Sequence, residues 1–231
     1  MENRETLYSR TEMMLGEEAV ERLKGAHVAV FGVGGVGGFV AEAIARAGVG
    51  KITLIDSDKV SVSNINRQII ALNSTVGRYK TEVMRDRILD VNPLCEVTAV
   101  NTFYSEDTPL PLDGFDYIAD CIDSVKPKLH LIKSAAACNV KIISSMGAGN
   151  KLDPTRFTVA DISKTHTDPL AKVIRTELRR SGINHLKVVF SDEPPINPNG
   201  ERTPGSVSFV PSVVGLIIAG EIIKDIGAVL S

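Results

Sequence analysis

Apolar positions along the chain alternate between short unbroken runs and longer stretches in which they recur every three or four residues. The runs at 28–31, 52–56, 97–100, 117–120 and 141–145 have the length and composition of strands buried on both faces. Between them, helical spacing predicts helices at 36–47, 80–90 and 126–138, and a further helix at about 17–24 stops at Gly25 before the first strand. Strands alternating with helices predict the α/β class: a Rossmann-like, mainly parallel sheet flanked by helices. Beyond residue 150 the pattern changes. "RFTVADIS" and "HLKVVFS" read as strands, and Asp168-Pro169 between them opens a helix as N-cap and first-turn proline. The Pro-, Gly- and Asn-rich stretch 191–206 predicts a mobile loop, and a helix from near Pro211 closes the chain. The expected division is a core over 1–150 and a C-terminal α+β extension over 151–231.

Composition narrows this only slightly. With 231 residues, 43% of them hydrophobic, the chain suits one domain or a large domain with a small extension. A net charge of -2 gives no global reason for nucleic acid or an anionic membrane as partner. Cys95, Cys121 and Cys138 show no C-x-x-C spacing, so no structural zinc is expected. Few cysteines and no signal-like start point to a reducing cytoplasm. The apolar segment 207–230 is interrupted by Ser212, Gly215, Gly220, Glu221, Lys224 and Asp225, so no stable membrane insertion is expected. A buried core helix or a subunit contact suits it better.

The candidate chemistry lies near the first strand. Gly32, Gly34, Gly35 and Gly37 fall between that strand and the next helix. Glycines there allow a tight turn and let backbone N–H groups approach a phosphate at the helix N-terminus. Asp56, 19 residues after Gly37, ends the next strand, the right place to accept from ribose hydroxyls. Without a nucleotide, the same residues would serve close helix–strand packing and a strand-end cap. Asp58, Ser63, Asn64, Asn66, Arg67 and Gln68 follow, and Lys80 opens the next helix. A dinucleotide needs little of this, whereas two cations and several amides on one loop suit a triphosphate. A surface ion pair for Arg67 and a solvated helix start for Lys80 are the plainer alternatives. Asp120, Asp123 and Ser124 lie at the carboxyl end of the fourth run, where open α/β sheets bind ligands. A carboxylate there suits Mg2+, which keeps most of its waters and takes few protein ligands. Asp123 equally suits the N-cap of the following helix. No catalytic His or Tyr-x-x-x-Lys arrangement for hydride transfer stands out.

"LYSRTEMML", "GVGGVG", "LIDSDKVSVSNINRQ", "GRYKTEVMRDRILDVNP", "DCIDSVKPK" and "PSVVGLIIAGEIIKDIG" cover much of the chain in this order. They resemble the ubiquitin-activating-enzyme superfamily, whose bacterial ThiF-type members adenylate carboxylates. The resemblance implies one adenylating domain over 1–231, using ATP and Mg2+. It implies that Asp56 holds the ribose, that Asn64 and Arg67 hold the triphosphate, and that Lys80 stabilises charge at the phosphate under attack. Asp123 would bind Mg2+, and Arg10 would reach into the partner's site of a homodimer. These roles suit the chemistry, because a carboxylate approaching a phosphate needs cations to offset the repulsion as charge grows. Intact Arg67, Lys80 and Asp123 argue against a catalytically silent binding module.

Superfamily members that charge ubiquitin-like sulfur carriers usually bear paired C-x-x-C zinc motifs, and some a later cysteine. Here no cysteine follows Cys138. Instead, "SSMGAGNKLDPTRFTVADISKTHTDPLAKVIRTELRR" and "KVVFSDEPP" resemble a narrower branch, the tRNA threonylcarbamoyladenosine dehydratases. That resemblance implies a tRNA substrate whose threonylcarbamoyl carboxylate is adenylated and then cyclises with net loss of water. An intramolecular closure needs no enzyme nucleophile. The alternative is an adenylyltransferase for the C-terminal glycine of a sulfur carrier, and the need for a separate sulfur-relay partner stays open. One local feature speaks for RNA independently: six Lys or Arg against two acids from Lys164 to Lys187. On the helix from Asp168, Lys172, Arg175 and Arg179 lie together off the apolar face and could follow a phosphate backbone. A solvated amphipathic helix carries the same pattern.

Overall fold

A computed structural model of the chain describes residues 6–196, 200 and 203–229. Two short helices, α1 (Ser9–Leu15) and α2 (Glu17–Gly25), lead into β1 (His27–Phe31), α3 (Gly37–Ala47), β2 (Lys51–Ile55), α4 (Lys80–Val91) and β3 (Glu96–Val100). The chain then returns to β4 (Tyr117–Asp120), α5 (Val125–Ala137) and β5 (Lys141–Ser145). It ends with β6 (Phe157–Asp161), α6 (Pro169–Arg180), β7 (Lys187–Ser191) and α7 (Phe209–Gly227). The strands form one sheet in the order β3-β2-β1-β4-β5-β7-β6. All pairings are parallel except β6 with β7 at the edge. The α/β, mainly parallel architecture expected from the sequence is what the chain adopts.

The unbroken apolar runs are explained by burial on two faces. Val28 and Val30 of β1 pack with Val40 and Ile44 of α3 and Val214 and Ile218 of α7. Ala29 and Phe31, pointing the other way, pack with Leu131 and Ala135 of α5. Beyond them Ile132 of α5 meets Ile174 and Leu178 of α6. The C-terminal extension therefore adds two strands to the sheet edge and returns α7 across the first half of the chain.

Two details depart from the sequence reading, and a third expectation falls partly outside the described residues. Helix α1 was not expected; Tyr8 at its start is buried and donates to Asn92 Oδ1 at 2.9 Å. Helix α7 begins at Phe209 rather than near Pro211, which takes the third position, where a helix N–H has no partner within the helix. The expected mobile loop at 191–206 falls partly on 197–199 and 201–202, which lie outside the described residues. Among the described residues no helix is long and apolar enough to cross a membrane.

Candidate functional site

From β1 the chain moves outward to β2 and β3, then returns to β4 on the opposite side of β1. Such a reversal leaves a crevice beyond the carboxyl ends of the strands. A cavity of about 650 Å3 opens there, lined by residues from both halves of the chain. Its first wall is the glycine turn. Gly32 has φ of +86°, and a Cβ on it would stand 2.8 Å from the Cys121 carbonyl oxygen of β4's exit. A Cβ on Gly37 would stand 1.8 Å from the Gly32 oxygen. Gly32, Gly34 and Gly35 line the cavity, whereas Gly37 closes the turn behind them.

Asp56, just past β2, accepts from Val33 N–H at 2.7 Å and from Asp58 N–H at 2.8 Å. Each carboxylate oxygen retains a lone pair for a further donor. Lys80 enters the same cavity from the start of α4, almost wholly buried, and donates to Asp58 Oδ2 at 2.7 Å. Arg67 spends Nη1 on Ser63 O at 3.0 Å and Asn66 Oδ1 at 2.9 Å. Its other guanidinium donors have no partner among the described residues. Asn64 and Gln68 also line the cavity, and Gln68 Oε1 is buried without a hydrogen-bond partner among the described residues.

Asp123 and Ser124 complete this end, with Ser124 Oγ donating to Asp123 Oδ1 at 3.1 Å. Asp120, read from sequence as a ligand-edge carboxylate, needs correction. It has no exposed surface and pairs with equally buried Lys128 at 2.7 Å. Its other oxygen accepts from Ile122 N–H at 3.1 Å, so it holds the turn leading to Asp123. Ser124 caps α5 by position, its side chain making no cap bond to the helix N–H groups among the described residues. Among the described residues no three His, Cys, Asp or Glu cluster as a metal cage. A single carboxylate beside a phosphate-sized cradle is nevertheless what Mg2+ accepts when phosphate oxygens and water complete its shell.

Other expected site residues lie outside the cavity lining. Ser63 and Asn66 stand behind Arg67, and Asn66 Nδ2 also donates to Ser206 O at 3.0 Å. Arg10 is exposed on α1. On α6, Lys172 and Arg179 are exposed, while Arg175 is half-buried and donates to Thr165 O at 2.7 Å. Cys121 is the cavity-lining cysteine, and burial raises its thiol well above the usual range. Cys95, away from the cavity, is pushed up to about 11 by burial.

Sequence reasoning missed the wall contributed by the turn after β5. Gly147, Asn150 and Lys151 line the cavity with Asp168 and the 203–206 segment. Asp168 caps α6 through Ala171 N–H at 3.0 Å and also accepts from Gly147 N–H at 2.9 Å. Asn150 exchanges hydrogen bonds with Gly205: its N–H donates to Gly205 O at 2.8 Å, and its Oδ1 accepts from Gly205 N–H at 2.7 Å. The available signal was position alone, since this turn also leaves the carboxyl end of a parallel strand. Phe103 and Tyr104 form an aromatic wall, the Tyr104 hydroxyl lying 3.1 Å from His130 Nδ1.

Fold and cavity together define a Rossmann-like α/β protein with a glycine-walled, cation-bearing crevice at its topological switch point. The model of the ThiF family matches residues 8–229, and the chain belongs to that family. It is 49% identical to the tRNA threonylcarbamoyladenosine dehydratase of Bacillus subtilis (strain 168), covering 95% of this chain and 94% of that protein. It is 41% identical to the Escherichia coli (strain K12) protein of the same name, covering 85% and 77%. Among solved structures it is similar to E. coli tRNA N6-threonylcarbamoyladenosine dehydratase, TcdA, in complex with AMP. That match has a TM-score of 0.89 and 38% identity, over 95% of this chain and 93% of the other. The complex of the same enzyme with ATP matches with a TM-score of 0.87 at 37% identity, over 96% and 93%.

Proposed function

We propose that this chain is an ATP-dependent tRNA threonylcarbamoyladenosine dehydratase. It would adenylate the carboxylate of N6-threonylcarbamoyladenosine at position 37 of a tRNA and cyclise it with loss of water. The observation that carries the reading is one continuous cavity lined by the glycine turn, Arg67, Lys80 and Asp123, and also by the Gly147–Lys151 turn. Nucleotide and acyl carboxylate can share such a space. Similarity over 94% of one bacterial dehydratase and 77% of another supports the same substrate.

In this reading the glycine turn receives phosphate oxygens, Asp56 the ribose hydroxyls, and Asn64, Arg67 and Lys80 the triphosphate. A carboxylate oxygen attacks the α-phosphorus and pyrophosphate leaves. A neighbouring atom of the same modification then closes on the activated carbonyl, releasing AMP. Lys80 and Arg67 offset the charge that grows at the phosphate. Mg2+ held by Asp123 would neutralise phosphate oxygens. Closure is intramolecular, so no enzyme nucleophile is needed, in keeping with the raised thiol of Cys121. Arg10, exposed beside Met13 and Met14 on α1, suits a homodimer in which it completes the partner's site. Lys172 and Arg179 suit a phosphate backbone, with Arg175 bracing their helix. The setting is cytoplasmic, one domain carries the whole activity, and any sulfur relay would come from a separate partner.

The test is AMP release from ATP, with threonylcarbamoylated tRNA in one reaction and a sulfur-carrier protein in another. AMP together with a nucleoside lighter by one water, read by mass spectrometry, is the expected result. AMP with the carrier alone would overturn the reading in favour of sulfur-carrier adenylation.

A further inference from the structure

Lys151 is a cation in the cavity wall that phosphate chemistry leaves unused. It stands at the β5 end, after the Gly147–Asn150 turn, whereas Arg67 and Lys80 stand at the β1–β2 end. Only 4% of the residue is exposed. Its ammonium donates to the Glu193 backbone carbonyl, a neutral acceptor. Both nearby carboxylates are committed elsewhere. Glu193 accepts from the N–H groups of Leu152 and Asp153, each at 3.1 Å. Asp168 accepts from Gly147 and Ala171 N–H. Among the described residues no carboxylate oxygen lies within 4.0 Å of the Lys151 ammonium. The other two lysines of similar burial are each paired at 2.7 Å, Lys80 with Asp58 and Lys128 with Asp120. Burial, with the nearby Arg156 charge, draws the Lys151 pKa below the lysine range, against the pull of Asp168, Glu193 and Asp192.

An ammonium has three donors, and a buried charge is normally paired. A buried lysine with one neutral partner, set in the wall of a cavity, is short of an anion. We propose that Lys151 receives the carboxylate of the acyl substrate and holds it at the β5 end of the cavity while the nucleotide occupies the other. This rests on the dehydratase reading above and adds the residue that selects an ionised acid. It also explains how a second anion enters a cavity already holding phosphates.

The test compares two anticodon stem-loop RNAs, one bearing N6-threonylcarbamoyladenosine and one bearing its methyl ester. Binding is read by fluorescence anisotropy with a non-hydrolysable ATP analogue present. Wild type should prefer the free acid by roughly 10- to 100-fold, the range of a charge-assisted hydrogen bond. Lys151→Met should bind the two RNAs equally, with unchanged affinity for the ATP analogue and unchanged KM for ATP. Lys151→Arg should recover most of the preference. Lys151→Gln gives the same comparison if the Met variant fails to fold. Retained discrimination in Lys151→Met or Lys151→Gln, with the wild-type protein releasing AMP on the free-acid RNA, would overturn the assignment alone. A wild-type protein that releases no AMP with the free-acid RNA would instead overturn the functional reading, and this inference with it.

Discussion

Replacing Lys128 by Met would remove the cation that neutralises Asp120 inside the protein. Neither side chain has exposed surface. The ammonium donates to Asp120 Oδ2 at 2.7 Å, to Ser144 Oγ at 3.1 Å and to Ser145 O at 3.0 Å. After the substitution Asp120 keeps the Ser144 hydroxyl and Ile122 N–H, both neutral donors. Methionine refills most of the lysine stem, so packing loss is the smaller effect. The stranded carboxylate dominates, and breaking a buried pair from one side costs about 3–5 kcal/mol. At roughly 2–4 °C per kcal/mol for a chain of this size, the expected fall in Tm is about 6–20 °C. Scanning calorimetry at neutral pH measures it. The double variant Lys128→Met/Asp120→Asn removes the uncompensated charge and should regain at least half of the loss. A single-variant fall below about 3 °C, or a double variant no more stable than the single, would show that the pair does not carry this energy.

Three other outcomes follow from the geometry. Arg67→Ala should abolish AMP formation yet move Tm by no more than about 2 °C, because its bonds are to an exposed turn; wild-type turnover in a steady-state assay would remove Arg67 from the phosphate site. Gly32→Ala forces a side chain into a left-handed φ and against the Cys121 carbonyl, so a loss of at least about 2 kcal/mol is expected by urea denaturation, together with weaker ATP binding. Lys187 donates to Asp225 at 2.8 Å and to Glu221 at 3.1 Å. Burial opposes these charges, yet hydrogen bonds from Lys187 and Tyr117 hold Asp225, and from Lys224 and Lys187 hold Glu221, below the carboxylate range, while both carboxylates hold Lys187 above the lysine range. The carboxylates' share of stability is present above about pH 4 and lost as pH falls through their depressed values. The lysine's share is complete below about pH 10 and lost as pH rises through its raised value. Lys187→Met should therefore destabilise most between these limits, and a pH-independent difference in melting would refute the coupling.

What the sequence disclosed follows from how local each signal is. Strands β1, β2 and β4 were legible because they are buried on both faces and so are mostly apolar at successive positions. The edge strand β3, with Glu96 and Thr98 exposed, showed itself only through Val97, Ala99 and Val100. The glycine turn, Asp56 and Lys80 were legible because they sit at fixed distances from strand ends, and all line one cavity. Asp120 and Asp123 looked equivalent because a strand-end carboxylate shows the same letter whether it faces ligand or protein. The difference lies in Lys128, one helical turn into α5, whose side chain reaches back to Asp120. Lys151 and Asp168 stayed hidden for a related reason. Each owes its place to contacts with partners far along the chain: Glu193 for one, Gly147 for the other. Helix α1 is too short for a periodic pattern to emerge, and Asn92, the partner of Tyr8, is distant in sequence.

The two ends of the cavity are built differently, yet one strip of chain ties them together. Asn66, next to Arg67, donates to Ser206 O at 3.0 Å. One residue earlier, Gly205 is doubly bonded to Asn150, next to Lys151. The 203–206 segment thus connects the residue flanking Arg67, at the β1–β2 end of the cavity, with the residue flanking Lys151, at the β5 end. The segment takes part through its own backbone at both ends, its partners being the Asn66 side-chain amide at one and the Asn150 N–H and Oδ1 at the other. Reaction between two anions requires them to meet at a fixed separation. Ties from one segment to both ends, through the Asn66 side chain and through Asn150, restrain that separation more than two independent loops would.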